Sequence, residues 1–206
     1  MDVRYVTSAL QAEHLPTFDF PEVAFVGRSN VGKSSLINAV LNHNKLARHG
    51  RTPGQTQMIN FFSIAQKLIL ADLPGYGFSA INKDVAAQWQ PLVSAYIERP
   101  QIKEFLFLVD SRRELTDEDW DLAFLLGRNL PLYILLTKSD KLSRQAVQTR
   151  IKKLREEVTA KGVEVKQIRA VSSLNKEGID ALRADLLAHM PESVPSQIVT
   201  DHHQSI

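Results

Sequence analysis

The sequence predicts an α/β fold, with a six-stranded, mainly parallel sheet, one antiparallel edge strand and helices on both faces. Three observations carry this. Short, near-continuous apolar runs stopped by Gly, Asp or Thr alternate with stretches whose apolar residues recur at helical spacing, the pattern of strands buried on both faces. Two such runs, 58–65 and 67–73, are separated only by a turn near Ala65-Gln66, so one pair must be antiparallel. The chain has 206 residues, 44% hydrophobic and 23% charged, which suits one globular domain of ordinary composition.

Residues 1–20, with Pro16, Asp19 and mixed polarity, read as an N-terminal lead-in arm. The apolar run 21–27 ends at Gly27 and reads as the first strand. Residues 33–41 carry apolar side chains at 36, 37, 40 and 41 and read as a helix. A long polar loop, 42–57, contains Gly50, Pro53 and Gly54. After the strand pair, 74–83 is a second Gly-containing loop. Residues 85–99 read as a helix interrupted by Pro91, or as two short helices. Strands at 105–110 and 130–137 flank a helix at 117–129, whose first turn holds Asp117, Glu118 and Asp119. A helix at 143–161 places Val147, Ile151, Leu154 and Val158 on one stripe. A strand at 163–171 and a helix at 177–189 complete the domain, 21–190, leaving a flexible polar tail, 191–206.

The absence of Cys excludes disulfides, thiolate zinc sites and thiol catalysis. No apolar run approaches the roughly 20 residues of a membrane span. The first residues lack the basic-then-apolar pattern of a secretory signal, so a cytoplasmic protein is expected. The six His show no ligand spacing. The net charge of +2 names no partner, but it is unevenly spread. Residues 141–169 hold nine Lys/Arg against three Glu, and residues 110–121 six acidic residues against two Arg. These read as two solvated helix faces, or as a polar molecule with one side suited to nucleic acid.

Gly27-Arg28-Ser29-Asn30-Val31-Gly32-Lys33-Ser34 fits the phosphate-binding loop GxxxxGK[ST], between a strand and a helix as its physics requires. Backbone N–H groups and the helix N-terminus face the phosphates. Gly27 and Gly32 permit close approach, Lys33 is a point charge on the terminal phosphates, and Ser34 is a Mg²⁺ ligand; Ser35 adds a further contact. Asp72-Leu73-Pro74-Gly75 lies at a strand end, where Asp72 reaches Mg²⁺ through water and the Gly75 N–H approaches the last phosphate. Thr137-Lys138-Ser139-Asp140 also ends a strand, and a carboxylate there accepts both guanine donors, N1–H and the 2-amino group. The same segment also reads as a helix N-cap before Leu142. Val171 ends the last strand, Ser172 and Ser173 follow it, and all three are expected at the base, with the Ser172-Ser173 backbone closing over it. Lys33 and Gly75 are the expected catalytic groups, acting electrostatically.

In order and on strand ends, these elements resemble the translation-factor-related GTPases, in which TKSD is an accepted variant of NKxD. A closer resemblance is to the EngB (YihA/YsxC) GTPases. It rests on residues 27–38, Thr52-Pro-Gly-Gln-Thr-Gln57, Asp72-Leu-Pro-Gly-Tyr-Gly77, then Trp89, Tyr96 and Arg99, and Asp110-x-Arg112. Gln55 stands where many members carry Arg. The resemblance implies a Ras-like domain that binds GTP with Mg²⁺ and assists assembly of the large ribosomal subunit, with a part in normal cell division and septation. A monomer is expected. The alternatives are a GTPase acting directly on the division machinery, with ribosome contact incidental, and a P-loop small-molecule kinase, against which TKSD argues. The resemblance also makes Thr56 the second Mg²⁺ ligand, with Thr52 its rival, and adds Gly54, Gln55, Gln57 and Met58 as contacts. Tyr76 replaces the Gln that orients water in many signalling GTPases, so intrinsic turnover on the order of 10⁻⁴ to 10⁻² per second is expected. Asn30 stands where related GTPases help to hold K⁺; it also reads as a turn residue tolerating a left-handed backbone.

Overall fold

The computed structural model describes residues 2–43, 46–47, 58–77, 91–128 and 130–192. Among these the chain runs β1 (Val3–Ala9), β2 (Glu22–Gly27), α1 (Lys33–Val40), β3 (Ile59–Ile64) and β4 (Leu68–Asp72). A helical run, α2, covers 91–97. Then come β5 (Ile102–Asp110), α3 (Asp117–Gly127), β6 (Leu132–Thr137), α4 (Arg144–Lys161), β7 (Val165–Ala170) and α5 (Ile179–Leu187). One sheet holds all seven strands in the order β1-β3-β4-β2-β5-β6-β7. β3 alone runs against the rest: it is antiparallel to β1 and β4, while β4, β2, β5, β6 and β7 are parallel.

The sheet therefore has one strand more than the six expected. The addition, β1, comes from the lead-in residues and covers β3, so the antiparallel strand is second from the edge. Its pairing shifts register between Tyr5 and Thr7, and Tyr5 and Val6 are about half exposed. An edge strand with an irregularity and one wet face has no clean apolar alternation for a sequence reading to find. The expected hairpin is present. Ala65 and Gln66 both take positive φ, 50° and 52°, the two left-handed residues of a tight strand connection. Pro91 is the first described residue of α2; the upstream part of the expected 85–99 helix, where an interruption at Pro91 would be read, lies outside the described residues.

Two apolar layers sandwich the sheet. On one face Leu92, Val93 and Tyr96 of α2, Trp120, Ala123 and Leu126 of α3, and Leu154 and Val158 of α4 pack on Phe105, Phe107 and Ile134. On the other, Leu36, Ile37 and Val40 of α1 and Ile179, Leu182 and Leu186 of α5 pack on Phe25, Leu106 and Leu135. Each fully buried side chain of this size stabilises the fold by about 1.5–3 kcal/mol. α4 is punctuated by its sequence: the Ser143 hydroxyl accepts the Ala146 N–H at 3.2 Å, and Gly162 ends the helix at φ +69°.

Buried charges brace the end of the sheet opposite the carboxyl ends of the parallel strands. Glu22 is fully buried and takes the Arg99 guanidinium, whose Nη2 also donates to the Pro16 carbonyl at 2.8 Å, tying the lead-in residues to the turn after α2. Glu104 accepts Lys166 Nζ at 2.6 Å and lies 3.0 Å from His189 Nε2. Burial alone would raise the Glu104 carboxyl, but its partners His189 and Lys166 hold it below the ordinary range.

Candidate nucleotide-binding site

Because β2, β4, β5, β6 and β7 are parallel, the loops after them share one edge of the sheet, where ligands bind in open α/β folds. Four of the predicted motifs are those loops. The loop after β2 folds back on itself: Asn30 has φ +61° and Gly32 φ +104°. A side chain at Gly27 would stand 2.9 Å from Leu108 Cβ, so only glycine lets β2 lie this close to β5. Gly32 is the N-cap of α1, which starts at Lys33. The first-turn N–H groups, unpaired within the helix, therefore open into the loop beside Ser34 and Ser35.

The DLPG segment is strapped to this loop. Ser29 donates through its N–H to the Tyr76 carbonyl at 2.9 Å and through its hydroxyl to the Gly75 carbonyl at 3.1 Å. A Cβ at Gly75 would meet Ser29 Oγ at 2.7 Å, so the close approach requires glycine. Asp72, Leu73 and Pro74 are buried and Gly75 is exposed. Lys33 Nζ is bonded to Asp72 Oδ1, which brings together the two side chains expected on phosphate and metal.

Tyr76 turns away from the reacting end of the site. Its hydroxyl donates to Asp119 Oδ1 of α3 at 2.8 Å, and its ring stacks on Phe107 with centroids 6.5 Å apart. Burial, then the neighbouring Asp119 carboxylate, push the phenol far above its ordinary range, so it stays a neutral donor. Arg28 also reaches α3: Nη1 lies 2.9 Å from Glu118 Oε2 and 3.3 Å from the Thr116 hydroxyl. Its side chain thus joins the phosphate loop to the start of α3, while its backbone keeps the place in the loop that the motif assigned.

The TKSD loop is welded to the phosphate loop. The buried Thr137 hydroxyl donates to the Val31 carbonyl at 2.7 Å, and Lys138 Nζ donates to the Asn30 carbonyl at 2.7 Å. Ser139 N–H donates to the Val171 carbonyl at 3.2 Å, which brings in the loop after β7. There the Ser172 hydroxyl donates to Asp140 Oδ1 at 2.6 Å. That bond, with Lys141 beside it, holds the Asp140 carboxyl below the ordinary range. Asp140 is therefore an oriented acceptor rather than a free surface charge, and its segment is a 3₁₀ turn, Ser139–Lys141. Ser35 and Ser173 line a groove of about 240 Å³ with Asn38, Asn42, His43 and Lys176. Lys176 carried no signal in its sequence neighbourhood.

The predicted Gly54, Gln55, Thr56 and Gln57, with the rival Thr52 and with Trp89, lie outside the described residues; Met58 is half-buried just before β3. Among the described residues, no cluster of three or more His, Asp or Glu is arranged to hold a metal ion. The hard oxygens present, the Ser34 hydroxyl and the Asp72 carboxylate, suit Mg²⁺, which takes one or two protein oxygens and completes its shell with water and substrate phosphates.

Sequence reasoning missed one set of partners. The buried Asp110 receives Arg112 Nε at 2.8 Å, Arg112 Nη2 at 2.7 Å and Lys138 Nζ at 3.0 Å. Arg112 is the largest cause, with Lys138, of a carboxyl held far below the ordinary range. Asp110-x-Arg112 was legible as a pattern, but its junction with Lys138 appears only when β5 and β6 pair.

Comparison with known proteins agrees with this geometry. Residues 22–138 match the family described as "50S ribosome-binding GTPase". The chain is 43% identical over 184 residues to a probable GTP-binding protein EngB of Enterobacter sp. (strain 638), covering 88% of each chain. It is 40% identical over 204 residues to that of Edwardsiella ictaluri, covering 98% of this chain and 94% of the relative. Among solved structures, a probable GTP-binding protein EngB superposes with a TM-score of 0.64 at 25% identity, over 82% of this chain and 97% of that one. Era in complex with MgGDPNP and nucleotides 1506–1542 of 16S ribosomal RNA shares the fold, with a TM-score of 0.63 at 24% identity, over 87% of this chain and 59% of that one.

Proposed function

The chain belongs to the EngB family of GTP-binding proteins, and from that premise we propose that it is a Mg²⁺-dependent GTPase switch that assists assembly of the large ribosomal subunit. It binds and hydrolyses GTP. The observation that carries the site assignment is the convergence of the phosphate loop, DLPG, TKSD and the Ser172 loop on one sheet edge, joined by Thr137–Val31, Lys138–Asn30 and Ser172–Asp140. Asp140 and the Ser172 loop take the guanine, residues 27–35 hold the phosphates, and Ser34, Asp72 and Thr56 hold Mg²⁺, Asp72 through water. Bound there, Mg²⁺ neutralises charge on the phosphates. Lys33 and the Gly75 N–H stabilise the charge that develops on the transferred group.

No side chain at 76 orients the attacking water, since the Tyr76 hydroxyl is committed to Asp119. Positive charge from K⁺ at Asn30 then has a role that Arg fills elsewhere. Hydrolysis is expected to be faster in KCl than in NaCl at equal ionic strength, and Asn30→Ala to abolish the difference. Equal rates in the two salts remove K⁺ from the mechanism.

The large-subunit reading is supported by the matched family's description and by the charge on α4. Arg144, Lys152, Lys153 and Arg155 are all exposed on it. Lys153 is bonded to Glu114 at 2.8 Å, and the buried Arg150 donates to the Arg113 carbonyl at 2.9 Å. The acidic and basic segments thus touch along one side of α4, and Lys152 and Arg155 stay open on its outer surface. Such cations bind RNA phosphates with strong salt dependence and little sequence preference. In sedimented extract the protein is expected to travel with large subunits more in the presence of a non-hydrolysable GTP analogue than with GDP. Replacing Lys152, Lys153 and Arg155 by Glu should weaken this while leaving GTP affinity intact. Association indifferent to that charge reversal would place the interface elsewhere. A GTPase acting on the division machinery, with ribosome contact incidental, would show no co-sedimentation that depends on the GTP analogue. The protein is proposed to act as a cytoplasmic monomer; no described helix is long and apolar enough to cross a membrane.

A further inference from the structure

Asp110 lies at the end of β5, opposite Thr137 of β6, and contributes nothing to the site as assigned above. It is only 6% exposed, and its four hydrogen-bond donors come from two residues. Oδ1 takes the Arg112 N–H at 3.1 Å and Arg112 Nε at 2.8 Å; Oδ2 takes Arg112 Nη2 at 2.7 Å and Lys138 Nζ at 3.0 Å. The same Lys138 Nζ donates to the Asn30 carbonyl at 2.7 Å, and its Cε would lie 3.7 Å from a Cβ on Gly32. The Lys138 stem is therefore laid over the phosphate loop, with its charge held between a carboxylate and a loop carbonyl. The backbone is pinned as well. Lys138 adopts a left-handed conformation, φ +56°, unusual for a side chain of this kind. Its carbonyl accepts the Ser111 hydroxyl at 3.2 Å, and the Ser111 N–H donates to the Thr137 carbonyl at 3.0 Å.

We propose that Asp110 is a positioning residue for guanine-nucleotide binding: it anchors Lys138 across the phosphate loop, so that the base-recognition and phosphate loops act as one preformed unit. Without Asp110 the Lys138 ammonium keeps a single neutral acceptor, and its long stem is free to leave the loop for water. A bound nucleotide must then order both loops itself, which weakens affinity without altering the chemistry at the terminal phosphate. Arg112, half exposed, grips both oxygens of the carboxylate and shares Oδ2 with Lys138; it holds Asp110 and not Lys138 itself.

The inference rests on the guanine-nucleotide reading of the site, which the wild-type titration tests separately. The experiment is a double-mutant cycle on the full chain, with GDP affinity, GDP release rate and steady-state GTP hydrolysis as readouts. Asp110→Asn is expected to weaken GDP about tenfold, mainly through faster release. It should raise KM by a similar factor and leave kcat within about threefold. Lys138→Met weakens GDP at least as much, and adding Asp110→Asn to it costs nothing further. Arg112→Gln, which removes the guanidinium fork but leaves the Asp110–Lys138 pair, keeps GDP affinity within about twofold. Melting without nucleotide reports folding of each variant. If Asp110→Asn does not fold, Asp110→Glu, one methylene longer, is expected to weaken GDP in the same Lys138-dependent way. Additive effects of the Asp110 and Lys138 changes would overturn the proposal. So would an Arg112→Gln loss equal to that of Asp110→Asn, since both outcomes assign Asp110 a role in the fold alone.

Discussion

Asp140→Asn is expected to cost GTP and GDP about 10²- to 10⁴-fold in affinity and to create affinity for xanthine nucleotides. The estimate follows from two bonds. Guanine presents N1–H and the 2-amino group on one edge, and a carboxylate accepts both. Each hydrogen bond to a charged group is worth about 1.5–3 kcal/mol, and about 1.4 kcal/mol is a factor of ten. The amide of Asn keeps one acceptor but turns an NH₂ toward the 2-amino group, leaving two donors face to face. Xanthine carries a 2-oxo group there and accepts that NH₂, so the same change that repels guanine admits xanthine. The structure strengthens this expectation because Asp140 is already oriented. Ser172 donates to Oδ1 at 2.6 Å, and Lys141 stands 3.4 Å from Oδ2. The Ser172 hydroxyl, with Lys141 beside it, holds the carboxyl below its ordinary range, which favours the ionised acceptor that guanine needs. Competition titrations with GTP, XTP and ATP decide the matter. ATP binding to the wild type as tightly as GTP, or an Asp140→Asn protein that keeps its GTP affinity, would remove Asp140 from base recognition.

What the sequence discloses divides along a physical line. The phosphate loop, DLPG and TKSD are legible because each needs its residues adjacent: Gly32 for a positive φ, Lys33 and Ser34 at the first turn of a helix, Asp72 and Asp140 at strand ends. The buried strands β4 and β6 are legible because an unbroken apolar run has few other uses. β1 is not, because its Tyr5 and Val6 face water and its pairing is irregular, so its alternation says little. Contacts between motifs are less legible still. Asp110 reads as a strand end followed by Arg, and nothing local announces that Lys138 will share it. That contact exists only when Asp110 and Thr137 fall opposite one another in parallel register. Glu22 is a similar case. It stands next to an apolar run as if at a surface, yet it is fully buried because Arg99 arrives from the turn after α2 to neutralise it. Arg28 belongs to the phosphate loop by sequence, while its guanidinium goes to Glu118 and Thr116.

The second large effect is expected from opposite changes at the Lys33–Asp72 pair. Both side chains are nearly buried, 12% and 6% exposed, and bonded to each other. They are also the groups that phosphate and Mg²⁺ require, so binding exchanges one ion pair for two. Lys33→Ala removes the cation and leaves the Asp72 carboxylate unpaired beside the phosphates. Truncating one partner of a buried charge pair costs about 2–5 kcal/mol, hence a loss on the order of 10²- to 10³-fold in GDP and GTP affinity. Hydrolysis at saturating GTP should fall by a comparable factor, as when one stabilising donor is deleted from a preorganised site. Asp72→Asn acts with the other sign. It frees Lys33 for the phosphates and withdraws a repelling charge, so GDP binding in EDTA should be unchanged or tighter. The response to Mg²⁺ should shrink, because the carboxylate that reaches the metal through water is gone. Titrating GDP and GTP in EDTA and in Mg²⁺ across the wild type and both variants separates these expectations. If Asp72→Asn weakens Mg²⁺-free GDP as much as Lys33→Ala does, the pair supports the loop instead of competing with the nucleotide, and the exchange of partners is not how this site binds.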